Sequence, residues 1–149
     1  GQYYKGKYKV RNRDKYVGDV DNVVYRSSWE RSAIKWLDTN PQIKYFAVEE
    51  VVIPYICETD NRVHRYYLDL WFKTNEGHNY IIEIKPKKET TPPKKPSRGT
   101  KKRYLSESLT FVKNQSKWKA ASEFAKDKGW TFEVWTEDTL KSLGIKILS

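Results

Sequence analysis

The chain reads Tyr66-Tyr67-Leu68-Asp69-Leu70-Trp71-Phe72 and then, after a polar link, Tyr80-Ile81-Ile82-Glu83-Ile84-Lys85. Both runs are rich in aromatic and β-branched residues, which predicts two strands. A charge inside such a run is costly to bury, so Asp69 and Glu83 need a local reason to be there. Two converging carboxylates bind a hard divalent cation, and a lysine beside them can position or polarise a water molecule. The stretch therefore predicts a metal site suited to cleaving phosphodiesters.

The link between the two runs predicts that they pair. It is polar, contains a glycine and reads Lys73-Thr74-Asn75-Glu76-Gly77-His78-Asn79, as expected of a hairpin connection. A hairpin of this length places Asp69 close to Glu83, and Glu83 and Lys85 share one strand face because side chains alternate. The alternative is a pair of solvent-facing charges on a half-exposed sheet. A Glu-x-Lys triplet alone is a weak signal in a lysine-rich chain.

Composition indicates a polyanionic partner. The 149 residues, enough for one domain, carry a formal charge of +10 from 29 Lys and Arg against 19 Asp and Glu. The chain also holds 6 Trp, 11 Tyr and 5 Phe, which supply core material and surfaces on which bases stack. A basic, aromatic-rich chain favours nucleic acid as the partner. The alternative is that the charge only keeps a small protein soluble.

Other classes of protein are disfavoured. Cys57 is the only cysteine, so no disulfide forms within the chain. No Cys/His cluster has the spacing of a zinc site, since His64 and His78 are few and scattered. The first residues do not read as a signal peptide, and no apolar run is long enough to span a bilayer. We therefore expect a soluble protein with no membrane partner, working in a reducing cytoplasm.

The first half of the chain predicts an arm, a helix and a strand. Residues 1–25 are basic and tyrosine-rich, and we expect them to pack irregularly on the domain. Ser27, with Glu30 three residues later, has the pattern of a capping box. Apolar residues at helical spacing follow, and the helix should end at Asn40-Pro41. Residues 45–53 read as a strand that Pro54 stops.

The second half begins with a basic, proline-rich stretch at about residues 86–104, which we expect to be a mobile loop. Its positive charges are opposed by one acid, Glu89, and they are Lys87, Lys88, Lys94, Lys95, Arg98, Lys101, Lys102 and Arg103. We expect these residues to bind DNA phosphates; the alternative is a solvated loop with no role. A helix from near residue 106 to 128, a strand at 130–135 and a short helix at about 137–143 complete the prediction.

The predicted order is helix, three antiparallel strands, helix, strand, helix, which gives an α/β fold with a mixed central sheet flanked by helices. This αβββαβ order, with Asp69 on the second strand and Glu83-Ile84-Lys85 on the third, resembles the restriction-endonuclease-like PD-(D/E)xK nuclease superfamily. Within it the chain is similar to the TnsA-type endonuclease domain. The proline of the superfamily name is missing, since Leu68 precedes Asp69.

The chain also resembles the small head completion proteins of T-even-type tailed phages over nearly its whole length. The stretches that carry this likeness are Tyr25-Arg26-Ser27-Ser28-Trp29-Glu30-Arg31, Glu49-Glu50-Val51-Val52-Ile53-Pro54-Tyr55, Glu83-Ile84-Lys85-Pro86-Lys87 and Asn114-Gln115-Ser116-Lys117-Trp118.

The resemblance implies that Asp69 and Glu83 ligate Mg²⁺, with Mn²⁺ as a substitute, and that the Ile84 carbonyl is a third ligand. Lys85 would orient or help to deprotonate a water bound to the metal. The alternative for Lys85 is an ordinary surface lysine at a strand end.

Four further residues are candidates for the site, and some of them have an alternative role. The resemblance implies that Glu30 is an additional metal-binding acid, but it could instead satisfy backbone N–H groups as part of the capping box. Glu49 and Glu50 face opposite sides of their predicted strand, and we expect Glu50 to be the one that faces the metal. Gln115 and Lys117 on the second long helix are expected near the site, the alternative for Lys117 being a solvated lysine.

Together these features predict a metal-dependent DNA endonuclease with little sequence specificity, because no base-reading motif is present. The resemblance implies action on packaged phage DNA during head completion, in the host cell cytoplasm, with retention in the virion left open. It implies DNA and phage portal, neck or other head completion proteins as partners, and a homodimer would suit cutting both strands. Two alternatives are a non-catalytic DNA-binding structural head completion protein and an endonuclease subunit of a transposition or restriction system.

Overall fold

The N-terminal segment is more regular than the predicted arm. In this computed structural model, which describes residues 3–98 and 101–147, strand β1 (Tyr3–Lys7) pairs antiparallel with β2 (Val24–Ser27). Tyr8 and Val10 are buried in the core, whereas Lys9 between them is exposed. This alternation is the signal of an extended segment with one buried face, and the high positive charge of the stretch obscured it.

Helix α1 (Ser28–Thr39) begins and ends where the sequence predicts, with the Ser27 side chain accepting a hydrogen bond from the Glu30 N–H. Near its C-terminus Asp38 is fully buried and accepts hydrogen bonds from the Tyr8 hydroxyl and two backbone N–H groups. The Lys15 ammonium donates to three carbonyls at the same helix end. The N-terminal segment is thereby fastened to α1 by polar contacts as well as by apolar packing.

The single strand predicted at residues 45–53 is wrong. The structure has β3 (Ile43–Val48) and then β4 (Val52–Cys57), which pairs with β5 (Arg62–Tyr67). The break falls at Glu49, whose φ of 56° lies in the left-handed region that a glutamate rarely adopts. Pro54 lies within β4 instead of stopping it. Over the residues that the structure describes, β4 has β5 as its only strand neighbour, and such an edge position tolerates proline.

The predicted αβββαβ core and mixed sheet are confirmed. In the described part of the chain the sheet order is β3-β6-β7-β8, with β8 parallel to β7 and the other pairs antiparallel. The β4–β5 hairpin is an insertion between the first two strands of this core. The remaining elements are β6 (Leu70–Thr74), β7 (Asn79–Ile84), α2 (Lys101–Lys128), β8 (Thr131–Trp135) and α3 (Glu137–Ser142).

Helices cover both faces of the sheet because adjacent residues of β7 point to opposite sides. Ile82 packs with Ala33, Ile34 and Leu37 of α1 in one apolar cluster. Ile81 packs on the other face with Ala121 and Ala125 of α2 in a second cluster. The predicted metal site around Asp69 and Glu83, here named the acidic site, lies at the end of β7, between the layer formed by α1 and the layer formed by α2.

Helix α2 begins at Lys101 and not near residue 106. Lys101, Lys102 and Arg103 are therefore on a helix, and the basic loop is shorter than predicted. A 3-10 turn (Lys87–Thr90) interrupts it, and residues 99–100 lie outside the described part. The strand and short helix predicted after α2 are confirmed. Among the described residues, no helix has both the length and the apolar character needed to cross a membrane.

Candidate active site

The run at residues 66–72 is not one strand as predicted, because β5 ends at Tyr67 and β6 begins at Leu70. Asp69 lies in the break between them and faces Glu83 of β7. Leu70 of β6 pairs with Ile82 of β7, so the residue before Leu70 stands opposite the residue after Ile82. The Asp69 carboxylate accepts a 2.7 Å hydrogen bond from the Ile84 N–H, which ties it to the end of β7. The structure therefore brings together the two acids that the hairpin spacing predicts to be close.

Glu30 reaches the same place from the first turn of α1. Its backbone N–H donates to the Ser27 hydroxyl at 3.2 Å, and its carboxylate accepts a 2.6 Å bond from the Arg26 N–H. Only 9 % of its surface is exposed. Ser27 therefore caps the helix, whereas the Glu30 carboxylate binds the Arg26 N–H, one residue before the cap, in place of the reciprocal bond of the predicted capping box. Glu30 thus satisfies a backbone N–H and also lines the cleft.

A cleft of about 350 Å³ lies over these acids. Its lining includes Glu30, Asp69, Glu83 and the half-buried Lys85, and also Glu89 from the basic loop. The Lys85 N–H bonds to the Trp135 carbonyl at 3.0 Å, which holds the end of β7 against β8. The sequence gave no reason to place Glu89 here, since it reads only as the one acid in a basic run.

Crowding of the acids makes their ionisation unfavourable. Burial raises the pKa of Asp69 well above its ordinary value, and the charge of Glu83, a hydrogen bond shared with Glu83 and the charge of Glu30 raise it further. Burial also raises the pKa of Glu30, as do the charges of Glu49 and Glu83, against the hydrogen bond from Arg26. Three acids this close need a proton or a cation to neutralise them.

The donors in the cleft suit a hard divalent cation. Carboxylate oxygens from three separate parts of the chain converge, and the backbone N–H of Ile84 bonds to one of them. Oxygen donors of this kind are the ligands that Mg²⁺ and Mn²⁺ prefer, and a cation would remove the repulsion between the acids. The residues present therefore fit the metal implied by the resemblance.

Tyr66 is a site residue that the sequence analysis missed. Its buried hydroxyl donates a 3.0 Å hydrogen bond to Glu83 Oε1, and burial together with the charges of Glu83 and Asp69 raises the Tyr66 pKa. The hydroxyl therefore stays protonated and holds one oxygen of Glu83. Tyr66 reads as one more aromatic residue of an apolar run, but a buried tyrosine hydroxyl normally needs a partner, and that was the available signal.

Lys117 comes to the site from α2, as expected. Its ammonium lies 5.4 Å from the centre of the Tyr66 ring. Burial lowers the Lys117 pKa, and the charges of Lys113 and Lys85 lower it too, whereas the charges of Glu83 and Asp69 raise it. Lys117 is therefore within electrostatic reach of both strand acids. Gln115 is exposed on α2 and does not line the cleft.

Comparison with known proteins identifies the family. The family described as TnsA-like endonuclease N terminal matches residues 40–137. The chain belongs to the TnsA-like endonuclease family. It is also 45% identical over 146 residues to the head completion nuclease of Enterobacteria phage T4, covering 96% of this chain and 97% of that protein. The family match includes Asp69, Glu83 and Lys85 of this TnsA-like endonuclease, but it begins after α1 and so leaves Glu30 out.

Glu50 is not brought to the cleft of this TnsA-like endonuclease. Its carboxylate lies beside Gly18, where an added Cβ would be 2.6 Å from Glu50 Oε1. Glu49 lies nearer the acids, pairing with Arg26 at 3.0 Å and acting electrostatically on Glu30. The choice of Glu50 assumed strand alternation, and the left-handed backbone at Glu49 breaks that alternation.

The eight basic residues expected to bind DNA are all exposed. Two of them have acidic partners: Lys87 pairs with Asp138 at 3.1 Å and Arg103 with Glu107 at 2.9 Å. Within the described residues no ion pair engages the other six, which are Lys88, Lys94, Lys95, Arg98, Lys101 and Lys102. These six are the cations most available to a phosphate backbone.

Proposed function

We propose that this chain is a divalent-metal-dependent endonuclease that hydrolyses phosphodiester bonds of DNA with little sequence specificity. The observation that carries the proposal is the meeting of Asp69, just before β6, with Glu83 of β7, with Glu30 and Lys85 in the same cleft. Membership of the TnsA-like endonuclease family supports the same chemistry.

Asp69 and Glu83 would hold Mg²⁺ or Mn²⁺, with Glu30 as a further acid and the Ile84 carbonyl as a backbone ligand. When bound, the metal supplies positive charge to the scissile phosphate and lowers the pKa of a water molecule. Lys85 shares its strand face with Glu83 and lines the cleft, so its ammonium would orient the attacking water and offset the charge of the phosphate.

Two further residues support this arrangement. The Tyr66 hydroxyl fixes the orientation of Glu83, which is the usual task of a group hydrogen-bonded to a metal ligand. Lys117 adds a partly desolvated positive charge on the α2 side of the site. Its ammonium lies beside the Tyr66 ring and interacts electrostatically with Glu83 and Asp69, so we assign it as an accessory group that holds the phosphate or the water.

DNA would approach along the basic loop and the start of α2. The six unpaired cations there would neutralise backbone phosphates, so binding should weaken steeply with salt. Phosphate contacts position a protein on DNA but carry little sequence information. We therefore assign positioning to this surface and cleavage to the cleft.

The biological setting follows from similarity to the T4 head completion nuclease over nearly the whole of both chains. We propose that this chain acts on phage DNA during head completion, in the host cell, with retention in the virion a matter for experiment. Portal, neck and other head completion proteins are the proposed partners. A homodimer would suit a two-strand cut, because one site cleaves one strand.

The test is cleavage of supercoiled plasmid with Mg²⁺ or Mn²⁺ by the wild type, by Asp69→Asn and by the matched surface control Asp127→Asn. We expect nicking or linearisation by the wild type and the control, its loss with EDTA, and a fall of roughly 100-fold or more in Asp69→Asn. Equal cleavage by Asp69→Asn would refute this site. Salt-dependent DNA binding without cleavage would instead favour a non-catalytic DNA-binding protein.

A further inference from the structure

Three metal-binding side chains meet at the tip of the inserted β4–β5 hairpin. The Cys57 sulfur, an Asp60 carboxylate oxygen and a His64 ring nitrogen all lie within 4.8 Å of one another. His64 Nε2 is 2.8 Å from Asp60 Oδ2. None of the three lines the acidic cleft. Ile53 of β4 pairs with Tyr66, the residue that contacts Glu83, and Cys57 lies four residues further along β4. At strand spacing this separates Cys57 from Ile53 by roughly 13 Å.

The hairpin itself builds this cluster. Tyr55 pairs with His64 and Cys57 pairs with Arg62, so Cys57 and His64 are diagonal neighbours on the same face of two adjacent strands. The turn between them is held by the Asn61 N–H, which bonds to the Cys57 carbonyl at 2.7 Å. Asp60 Oδ1 accepts a 2.9 Å bond from the Arg62 N–H, which aims the carboxylate back over the hairpin. The three groups are thus brought together by backbone geometry.

We propose that Cys57, Asp60 and His64 form a binding site for a thiophilic divalent transition metal ion, with Zn²⁺ as the first candidate. Thiolate, imidazole and carboxylate are the donors that zinc takes in proteins. Bonds of about 2.0–2.3 Å in a tetrahedron put ligand atoms about 3.3–3.6 Å apart. Asp60 and His64 need to separate by about half an ångström from their 2.8 Å contact, and the Cys57 sulfur already lies within 4.8 Å of both.

The site differs in chemistry from the acidic cleft. Cys57 is 2 % exposed, so its sulfur is sheltered, whereas Asp60 is exposed and leaves room for a water molecule as the fourth ligand. The cleft offers carboxylate and carbonyl oxygens, which suit Mg²⁺ and lack any sulfur donor. Zinc-site spacing is read from cysteines and histidines alone, and here the third proposed ligand is an aspartate. The site does not depend on the proposed nuclease activity.

Cobalt is the spectroscopic probe. The reduced full-length chain is titrated with Co²⁺ in excess Mg²⁺, which keeps cobalt from the acidic cleft, while thiolate-to-cobalt charge-transfer absorption is followed in the near ultraviolet. Cys57 is the only cysteine, so such a band comes from this residue alone. We expect the band to saturate at one equivalent of Co²⁺ and to disappear when Zn²⁺ is added, because zinc binds N and S sites more tightly.

Three variants decide whether the cluster is the site. We expect at least a tenfold loss of Co²⁺ affinity in His64→Ala and in Asp60→Asn, and no change in His78→Ala, which alters the other histidine in an exposed turn. Cys57→Ser should remove the band; should this buried substitution unfold the chain, the other two variants still decide. Absence of a band at one equivalent of Co²⁺ overturns the proposal. So does a band of unchanged affinity in both His64→Ala and Asp60→Asn.

Discussion

The Ile84 backbone N–H donates a 2.7 Å hydrogen bond to the Asp69 carboxylate at the point where the chain passes from the inserted hairpin into the central sheet. Burial and the charges of Glu83 and Glu30 raise the pKa of Asp69, and this bond is the contact that opposes them. The bond needs only an acceptor oxygen, which a carboxamide also provides. Asp69→Asn therefore retains the geometry of the site while removing its charge.

Asp69→Asn is expected to stabilise the metal-free protein. Because the folded-state pKa of Asp69 is raised, stability from this group is fully present below its ordinary pKa of about 3.9 and is lost as pH rises towards the folded-state value. At neutral pH in EDTA we expect the melting temperature of the variant to be about 2–8 °C higher, which corresponds to a gain of about 1–2 kcal/mol in folding free energy. Calorimetry with added Mg²⁺ should then show a rise in Tm for the wild type and no rise for Asp69→Asn.

Asp127→Asn, an exposed acid on α2, is the matched control and should retain both melting behaviours of the wild type. If Asp69→Asn had the same Tm as the wild type in EDTA and the same rise in Tm with Mg²⁺, Asp69 would neither repel its neighbours nor hold the metal.

Tyr66→Phe should weaken metal binding without unfolding the protein. The change removes the hydroxyl that holds Glu83 but retains the buried ring. Loss of such a partner typically lowers metal affinity or activity by about 10–100-fold. We expect the Mg²⁺ dependence of cleavage to shift to higher concentrations, with activity partly restored by excess metal. Tyr55→Phe, the neighbouring buried tyrosine, is the control. A loss of activity that excess Mg²⁺ leaves unchanged would contradict this role.

Glu30→Gln separates the hydrogen bond that this residue makes to Arg26 from its proposed catalytic role. The amide oxygen can still accept the Arg26 N–H bond, so the start of α1 should retain its structure, but the negative charge in the cleft is gone. We expect unchanged or higher thermal stability in EDTA and a fall of roughly tenfold or more in cleavage. Ser27→Ala provides the comparison in stability, since losing the cap costs about 0.5–2 kcal/mol. Full activity in Glu30→Gln would leave the hydrogen bond to Arg26 as the sole role of the Glu30 side chain.

Lys94→Ala combined with Lys95→Ala should reduce the salt dependence of DNA binding. Each phosphate contact contributes about 0.9 to the slope of log affinity against log salt, so we expect the slope to fall by about 2. Lys87→Ala should have less effect, because Lys87 already pairs with Asp138. Lys126→Ala, about 38 Å from Lys101 along α2, is the control. Filter binding at several salt concentrations measures the slopes, and equal slopes for all variants would remove DNA binding from this loop.

Asp38→Ala should strongly destabilise the fold. Burial alone would raise the pKa of Asp38, but hydrogen bonds from Arg11, Tyr8 and Asn12 outweigh it and lower the pKa. Removing the acceptor leaves buried donors unpaired, which we expect to lower the free energy of unfolding by about 2–4 kcal/mol. Because the folded-state pKa is lowered, this stability is present above pH of about 3.9 and is lost as pH falls through the folded-state value.

Urea unfolding at neutral pH and at successively lower pH values measures the effect of Asp38→Ala. The difference between variant and wild type should shrink as the solution becomes more acidic. Asp21→Ala, which breaks an exposed pair with Arg13, serves as the control and should change stability by less than about 1 kcal/mol. A constant difference across the pH range would show that the charge of Asp38 does not contribute.

The sequence predicts the parts of this fold that local patterns determine. The Ser27–Glu30 pattern located the start of α1, and the length of the link between the runs predicted that Asp69 and Glu83 meet. The left-handed backbone at Glu49 was not predictable, because residue type favours an ordinary strand there. The contact of Tyr66 with Glu83 depends on how an inserted hairpin lies against the sheet, and no local pattern carries that information.

The match to the TnsA-like family begins at residue 40, yet α1 ends at Thr39. A fragment cut at that boundary would uncover the sheet face on which Ala33, Ile34 and Leu37 are packed with no exposure at all. It would also lack Glu30. The region that matches the family and the unit able to fold are thus different lengths of the same polypeptide. A truncation guided by the family match alone would remove both the helix that covers one face of the sheet and one of the acids of the cleft.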